Sequence, residues 1–196
     1  MDIFISWSKD RSKAIAAALN EWLPLVIQRS LTPWMSASDI DPGQRWSQAV
    51  ARQLATSRVG IFCLTPENLN NPWILFEAGA ISKNFGEAVV CPYIHELSAK
   101  ELSGPFSQFQ ATTTDKDGTR TLLYSINKAL GGDALDRELL DKQFNKWWPD
   151  LKKAFKKIPQ LELETNRPIR DNVLRHTSEA LKEFAREQRT PITDPF

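Results

Sequence analysis

The chain has 196 residues, 41% of them hydrophobic, and its 25 Lys and Arg nearly cancel 24 Asp and Glu for a formal net charge of +1. That length can bury the core of one domain with an appended piece. The charge balance holds in both parts, 12 basic against 12 acidic residues in 1–132 and 13 against 12 in 133–196, which excludes the strongly basic balance of a nucleic-acid binder.

Asp2–Ser8 reads as a short apolar strand that ends in small polar residues. Ser8 or Asp10 is placed to cap the next helix. That helix is expected from about Arg11 to Leu23, with Ile15, Ala18, Leu19 and Trp22 at helical spacing and Pro24 at its end. Leu31–Met35 is a strand weakened by Pro33. Ser36–Gly43 is a loop of turn formers, with Gly43 serving backbone geometry. A helix over about Gln44–Ser57 follows, packing through Trp46, Val50 and Leu54.

Val59–Leu64 reads as a buried strand, Thr65–Glu67 as a loop, and Trp73–Lys83 as a helix. Ala88–Ile94 is a fourth strand and Pro105–Thr112 a weak fifth. A helix over Thr119–Leu130 is stopped by Gly131 and Gly132. Strands alternating with helices predict an α/β fold, a parallel sheet of about five strands flanked by helices. Beyond it, Leu135–Ile158 and Pro168–Arg189 read as amphipathic helices, the first kinked or split at Pro149. Leu139, Leu140, Phe144, Trp147, Leu151 and Phe155 form its apolar stripe; Leu174, Leu181 and Phe184 form the other. Residues 1–132 are therefore expected as the α/β domain and 133–196 as a C-terminal helical extension.

Cys63 and Cys91 sit in apolar runs and read as small core residues rather than a disulfide or metal pair, which suggests a reducing compartment. Asp2 and Lys9 interrupt any secretory signal, and no run approaches the roughly 20 apolar residues of a membrane span. A soluble cytoplasmic protein is expected, without membrane or nucleic-acid partners. His95 and His176 lack Cys partners at ligand spacing, so no metal is expected. Lys152, Lys153, Lys156 and Lys157 read as a solvated basic face.

The most telling stretch is Asn71–Ala80, which sets Glu77 inside an apolar helical segment one turn after Trp73. A carboxylate among Trp, Leu and Phe is costly to keep charged, so its pKa is expected to rise. The plain alternative is a glutamate that reaches solvent or a nearby Arg.

Three stretches together resemble the Toll/interleukin-1 receptor (TIR) domains, the bacterial ones in particular. Phe4–Ser8 with Asp10 looks like the opening strand motif, Ser38–Trp46 like the BB loop, and Asn71–Trp73 followed by Glu77 like the motif of the catalytic glutamate. The similarity covers roughly residues 1–130. Trp7 stands where the family often has Tyr, no Cys follows Trp73, and Ala78 replaces a common Leu.

The resemblance implies a flavodoxin-like sheet and cleavage of the nicotinamide–ribose bond of NAD, with NAD as substrate and no cofactor. It makes Glu77 catalytic. Ser6, Trp7, Trp34, Ser38, Asp39 and Trp73 are the candidate substrate contacts. For Trp73 and Trp7 core packing is an equal reading. The products implied are ADP-ribose, a cyclised form or an ADP-ribose conjugate, in antiphage immunity. No effector domain is evident, so the chain resembles the signal-making half of a Thoeris-type system. An effector that senses the product and self-association through Ser36–Gly43 are the implied partnerships. A non-catalytic interaction module is the rival reading.

Overall fold

The computed structural model describes residues 2–28, 31–35, 56–82 and 89–160. The chain divides into two compact units, Met1–Pro159 and Gln160–Phe196. The expected boundary at residue 132 falls inside the first. The loop Ser36–Gly43, nearly all of the helix expected over Gln44–Ser57, and the segment Pro168–Arg189 lie outside the described residues.

Five parallel strands form one sheet: β1 (Asp2–Ser6), β2 (Thr32–Met35), β3 (Val59–Leu64), β4 (Val89–Ile94) and β5 (Thr112–Thr113), in the order β2-β1-β3-β4-β5. This is the strand order of flavodoxin-like sheets, with the switch point between β1 and β3. Every residue of β3 is buried, as expected of a strand covered on both faces. Alternation divides the side chains. Ile3, Ile5, Ile61, Cys63, Cys91 and Tyr93 enter one cluster; Phe4, Phe62, Leu64 and Ile94 enter the other. Pro33 is tolerated because β2 is an edge strand, bonded to β1 alone.

Four helices are described: α1 (Asp10–Ile27), α2 (Pro72–Ser82), α3 (Lys116–Ala129) and α4 (Arg137–Phe155). α1 does not stop at Pro24 but runs one turn further, to a left-handed C-cap at Gln28. Val26 and Ile27 are fully buried in that turn. Burying two such side chains is worth about 1.5–3 kcal/mol each, enough to offset the roughly 3 kcal/mol of an internal proline. The N-terminus also differs from expectation. Lys9 is the N-cap and gives no side-chain bond. Instead Ser12 Oγ accepts from the Ser8 amide at 2.9 Å and donates to its carbonyl at 2.5 Å.

The fifth strand is shorter than expected. Pro105 falls in a 3-10 turn, Gly104–Gln108, which buries Phe106. Gly104 opens that turn at φ 59, a conformation cheap only for glycine. α3 starts earlier than the apolar pattern suggested, because Asp115 caps it by accepting from the Gly118 amide at 2.8 Å.

α4 continues through Pro149 as one helix. Pro149 and Asn145 are exposed, so the carbonyl released by the missing N–H can face water. α4 packs on α1 through Leu140, Phe144, Trp148 and Leu151. The stripe is therefore corrected. Leu139 is 39% exposed, and Trp148 rather than Trp147 enters the core. The 4-4-3 spacing of Leu140, Phe144, Trp148 and Leu151 keeps one helix face, and Trp147 lies off it. Phe144 stacks on Trp148 at 5.6 Å and meets the edge of Trp22 at 6.0 Å. Trp22 Nε1 donates to the Trp147 carbonyl at 2.9 Å. Lys152, Lys153, Lys156 and Lys157 are all exposed.

Phe144→Ala is expected to cost about 3–5 kcal/mol in urea unfolding. Leu139→Ala should stay within about 0.5 kcal/mol of the parent. Equal losses would contradict the assigned helix face.

Candidate active site

α2 forms because Pro72 can open a helix, its missing N–H falling where no bond is needed. Ile74 and Ala78 are fully buried and pack with Phe62, Leu64, Ile94 and Phe106. Glu77 lies on the same helix and is also 0% exposed. Burial of a charged or polar group is tolerated when hydrogen bonds meet it. Ser6, the last residue of β1, is fully buried too, and its Oγ donates to Glu77 Oε2 at 2.5 Å. That length lies within the roughly 2.5–2.7 Å of hydroxyl-to-carboxylate bonds. The contact sits at the carboxyl end of β1, beside the switch point, where open α/β sheets build ligand crevices.

Of the other expected site residues, Trp34 and Trp7 fall on opposite faces of the sheet. Trp34 pairs in register with Phe4 and stacks on it at 5.4 Å and 28°, on the cluster that includes α2. Trp7 is 7% exposed and packs in the opposite cluster, with Lys13 Nζ 4.8 Å above its ring. Trp73 is in the first turn of α2, one turn before Glu77. Ser38 and Asp39 lie outside the described residues, as does His176.

Sequence reasoning missed an ion cluster at the same end of the sheet. Arg11 is 5% exposed. Its Nη1 pairs with Glu67 at 3.0 Å, its Nη2 with Glu96 at 2.6 Å, and its Nε donates to the Pro159 carbonyl at 2.8 Å. One side chain thus ties the start of α1 to the loops after β3 and β4. Burial works against the Arg11 charge, but the two carboxylates outweigh it and hold its pKa above the usual value. Burial likewise pushes Glu67 up, while backbone, Thr65 and Arg11 bonds together hold it below its ordinary 4.5. Glu96 keeps φ 54, a strain of roughly 1–2 kcal/mol for a non-glycine residue.

Two neighbours complete this end. Asn68 is fully buried. Its amide donates to the Ser8 and Cys63 carbonyls at 3.0 Å each, and its oxygen accepts from the Thr65 amide at 2.8 Å. The side chain therefore bridges the ends of β1 and β3. His95 Nδ1 lies 2.8 Å from Thr114 Oγ1, and burial holds its pKa below 6.5, against the pull of Glu96. The sequence signal for these residues was an Asn in a turn and scattered charges, neither of which names a partner.

Cys63 and Cys91 are free and buried. Burial raises both thiols, Cys91 to about 12, so neither suits nucleophilic work. Among the described residues no group of His, Cys, Asp and Glu could hold a metal ion, and no helix is long and apolar enough to cross a membrane. A hollow of about 270 Å³ between α3 and α4 is lined by Tyr124, Asn127, Lys128, Leu135, Arg137 and Leu140. Its polar groups serve the fold. Asn127 holds both the amide and the carbonyl of Leu135, and Arg137 covers the Tyr124 ring at 4.3 Å.

The family model of the TIR domain matches residues 3–123. Among solved structures, the TIR domains of the activated Roq1 resistosome directly recognizing the pathogen effector XopQ are similar, at 18% identity and a TM-score of 0.40, over 80% of this chain and 96% of that one. A search of curated proteins finds no match.

Arg11→Met is expected to cost about 1.5–3 kcal/mol, the range for hydrogen bonds to charged groups. It should also change the acid response. A carboxyl held below 4.5 adds stability that is present above pH 4.5 and lost as pH falls through its folded pKa. Urea unfolding at neutral pH and at about pH 3.5 should show a smaller acid loss in the variant. Equal losses would remove Arg11 as the cause.

Proposed function

The chain belongs to the TIR-domain family, and on that premise we propose that it is an NAD-consuming enzyme with Glu77 as its catalytic carboxylate. The observation that carries the reading is a fully buried Glu77 held by Ser6 at the carboxyl end of β1. Family membership alone does not assign activity; a carboxylate sequestered at this place is what the chemistry asks for.

Breaking the nicotinamide–ribose bond builds positive charge on the ribose, as in glycoside hydrolysis. A fixed carboxylate in a site of low dielectric stabilises that charge. It can also accept a ribose hydroxyl or the proton of an incoming nucleophile. Nicotinamide is cationic on the ribose and leaves neutral, so no general acid is required. One carboxylate suffices where ordinary glycosidases use two.

Trp73, one turn before Glu77, and Trp34, on the same face of the sheet, are proposed as aromatic contacts for the dinucleotide. Ser38 and Asp39 are proposed to complete the pocket from the preceding loop, which also serves self-association. Trp7 packs on the other face of the sheet and is left out. Water as nucleophile yields ADP-ribose; a group of the substrate itself or of a second molecule yields a cyclic or conjugated signal. Resemblance to bacterial members supports a cytoplasmic role in antiphage immunity, with a separate effector reading the product.

The rival, a non-catalytic interaction module, has no use for a buried carboxylate at this position. Glu77→Gln keeps the shape and removes the charge. Turnover, read as nicotinamide release by chromatography, should fall about 10²-fold or more with the fold intact. Near-normal turnover in that variant would refute the assignment, and no release from the parent protein would favour the rival. Trp73→Ala should lower kcat/KM for NAD more than it lowers Tm. A destabilised protein with unchanged kinetics would place Trp73 in the core instead.

A further inference from the structure

We infer that Ser6 is the positioning residue of Glu77 rather than a substrate contact. The inference rests on the proposed role of Glu77 in NAD cleavage. The two residues are 71 positions apart in sequence, and each is 0% exposed. A serine hydroxyl has a single proton to donate, and here that proton goes to Oε2 of Glu77 at 2.5 Å. It is therefore not available to a ribose or phosphate oxygen. Ser6 is also the last strand residue of β1, paired in register with Phe62 of β3. A donor fixed on a central strand holds the carboxyl plane more tightly than a donor on a loop.

Glu77 is the single ionisable residue of α2. Among the described elements, β3, β4 and the turn Gly104–Gln108 make the most extensive contacts with α2. They send Phe62, Leu64, Ile94 and Phe106 to its cluster. The ionisable Cys63, Cys91 and Tyr93 of the same strands enter the opposite cluster. After β4, His95 pairs with Thr114 and Glu96 with Arg11. A hydroxyl donor favours the charged form of a carboxylate. Ser6 thus does two things for Glu77: it fixes the orientation of the carboxyl group and favours its charged form.

The test is Ser6→Ala beside Ser6→Thr, with Glu77→Gln as reference. Ser6→Ala should lower kcat for nicotinamide release about tenfold to a hundredfold, leave KM for NAD within about twofold, and move the acid limb of the kcat–pH profile upward by about one unit. Ser6→Thr, which keeps the hydroxyl, should restore both. A raised KM with unchanged kcat would make Ser6 a substrate contact and overturn the inference. So would an unmoved acid limb in an active Ser6→Ala protein, while an inactive Glu77→Gln in the same series left the catalytic reading standing. An active Glu77→Gln would fail the catalytic reading itself, and the inference with it. A double-mutant cycle of Ser6→Ala and Glu77→Ala in thermal unfolding reads the bond without turnover. Coupled losses support it, and additive losses overturn it.

Discussion

A strand buried on both faces dictates most of this molecule. β3 exposes none of its six residues, so each face of the sheet needs its own apolar cover. One face receives α1, α3 and α4, with Ile15, Leu19, Trp22, Leu123, Ile126, Phe144 and Trp148. The other receives α2 and the 3-10 turns, with Ile74, Ala78, Leu102 and Phe106. α2 must be apolar to cover that face, and it carries Glu77 into the interior with it. There the hydroxyl of Ser6 meets it.

The same end of the sheet handles its acids in two ways. Glu67 and Glu96 stay near solvent and share the guanidinium of Arg11. They neutralise charge and join loops, which suits a structural role. Glu77 is fully enclosed and accepts a hydroxyl from Ser6. The contrast between the two arrangements is physical and does not depend on the family.

Much of this was legible in the chain. The runs Val59–Leu64 and Val89–Ile94 are too short and too apolar for anything but buried strands, and their alternation with helical patterns fixed the parallel sheet. Glu77 stood out because a lone carboxylate broke an apolar helix. Local rules failed where tertiary burial overrode them. Pro24 did not end α1, because Val26 and Ile27 had a core to enter. Trp148 displaced Trp147 because only one of two adjacent tryptophans can share a face with Phe144. Pro105 entered a turn that buries Phe106 in place of a strand. Arg11 could not be paired in advance, since its acids lie 56 and 85 positions away and charges carry no periodicity. Ser6 was noticed for its place at a strand end, but its partner depended on the register of β1 against β3.

The two cysteines carry a consequence of another kind. They are the chain's whole complement of thiols, and they sit on adjacent central strands, Cys91 in register with Ile61 and Cys63 with Tyr93. Both are sealed and held protonated by burial. Oxidants and alkylating reagents that act on exposed thiolates find no target in the folded domain. The molecule therefore contains its own clock for opening at the centre of the sheet: the rate at which a thiol reagent labels it measures how often the helical cover over β3 and β4 lifts.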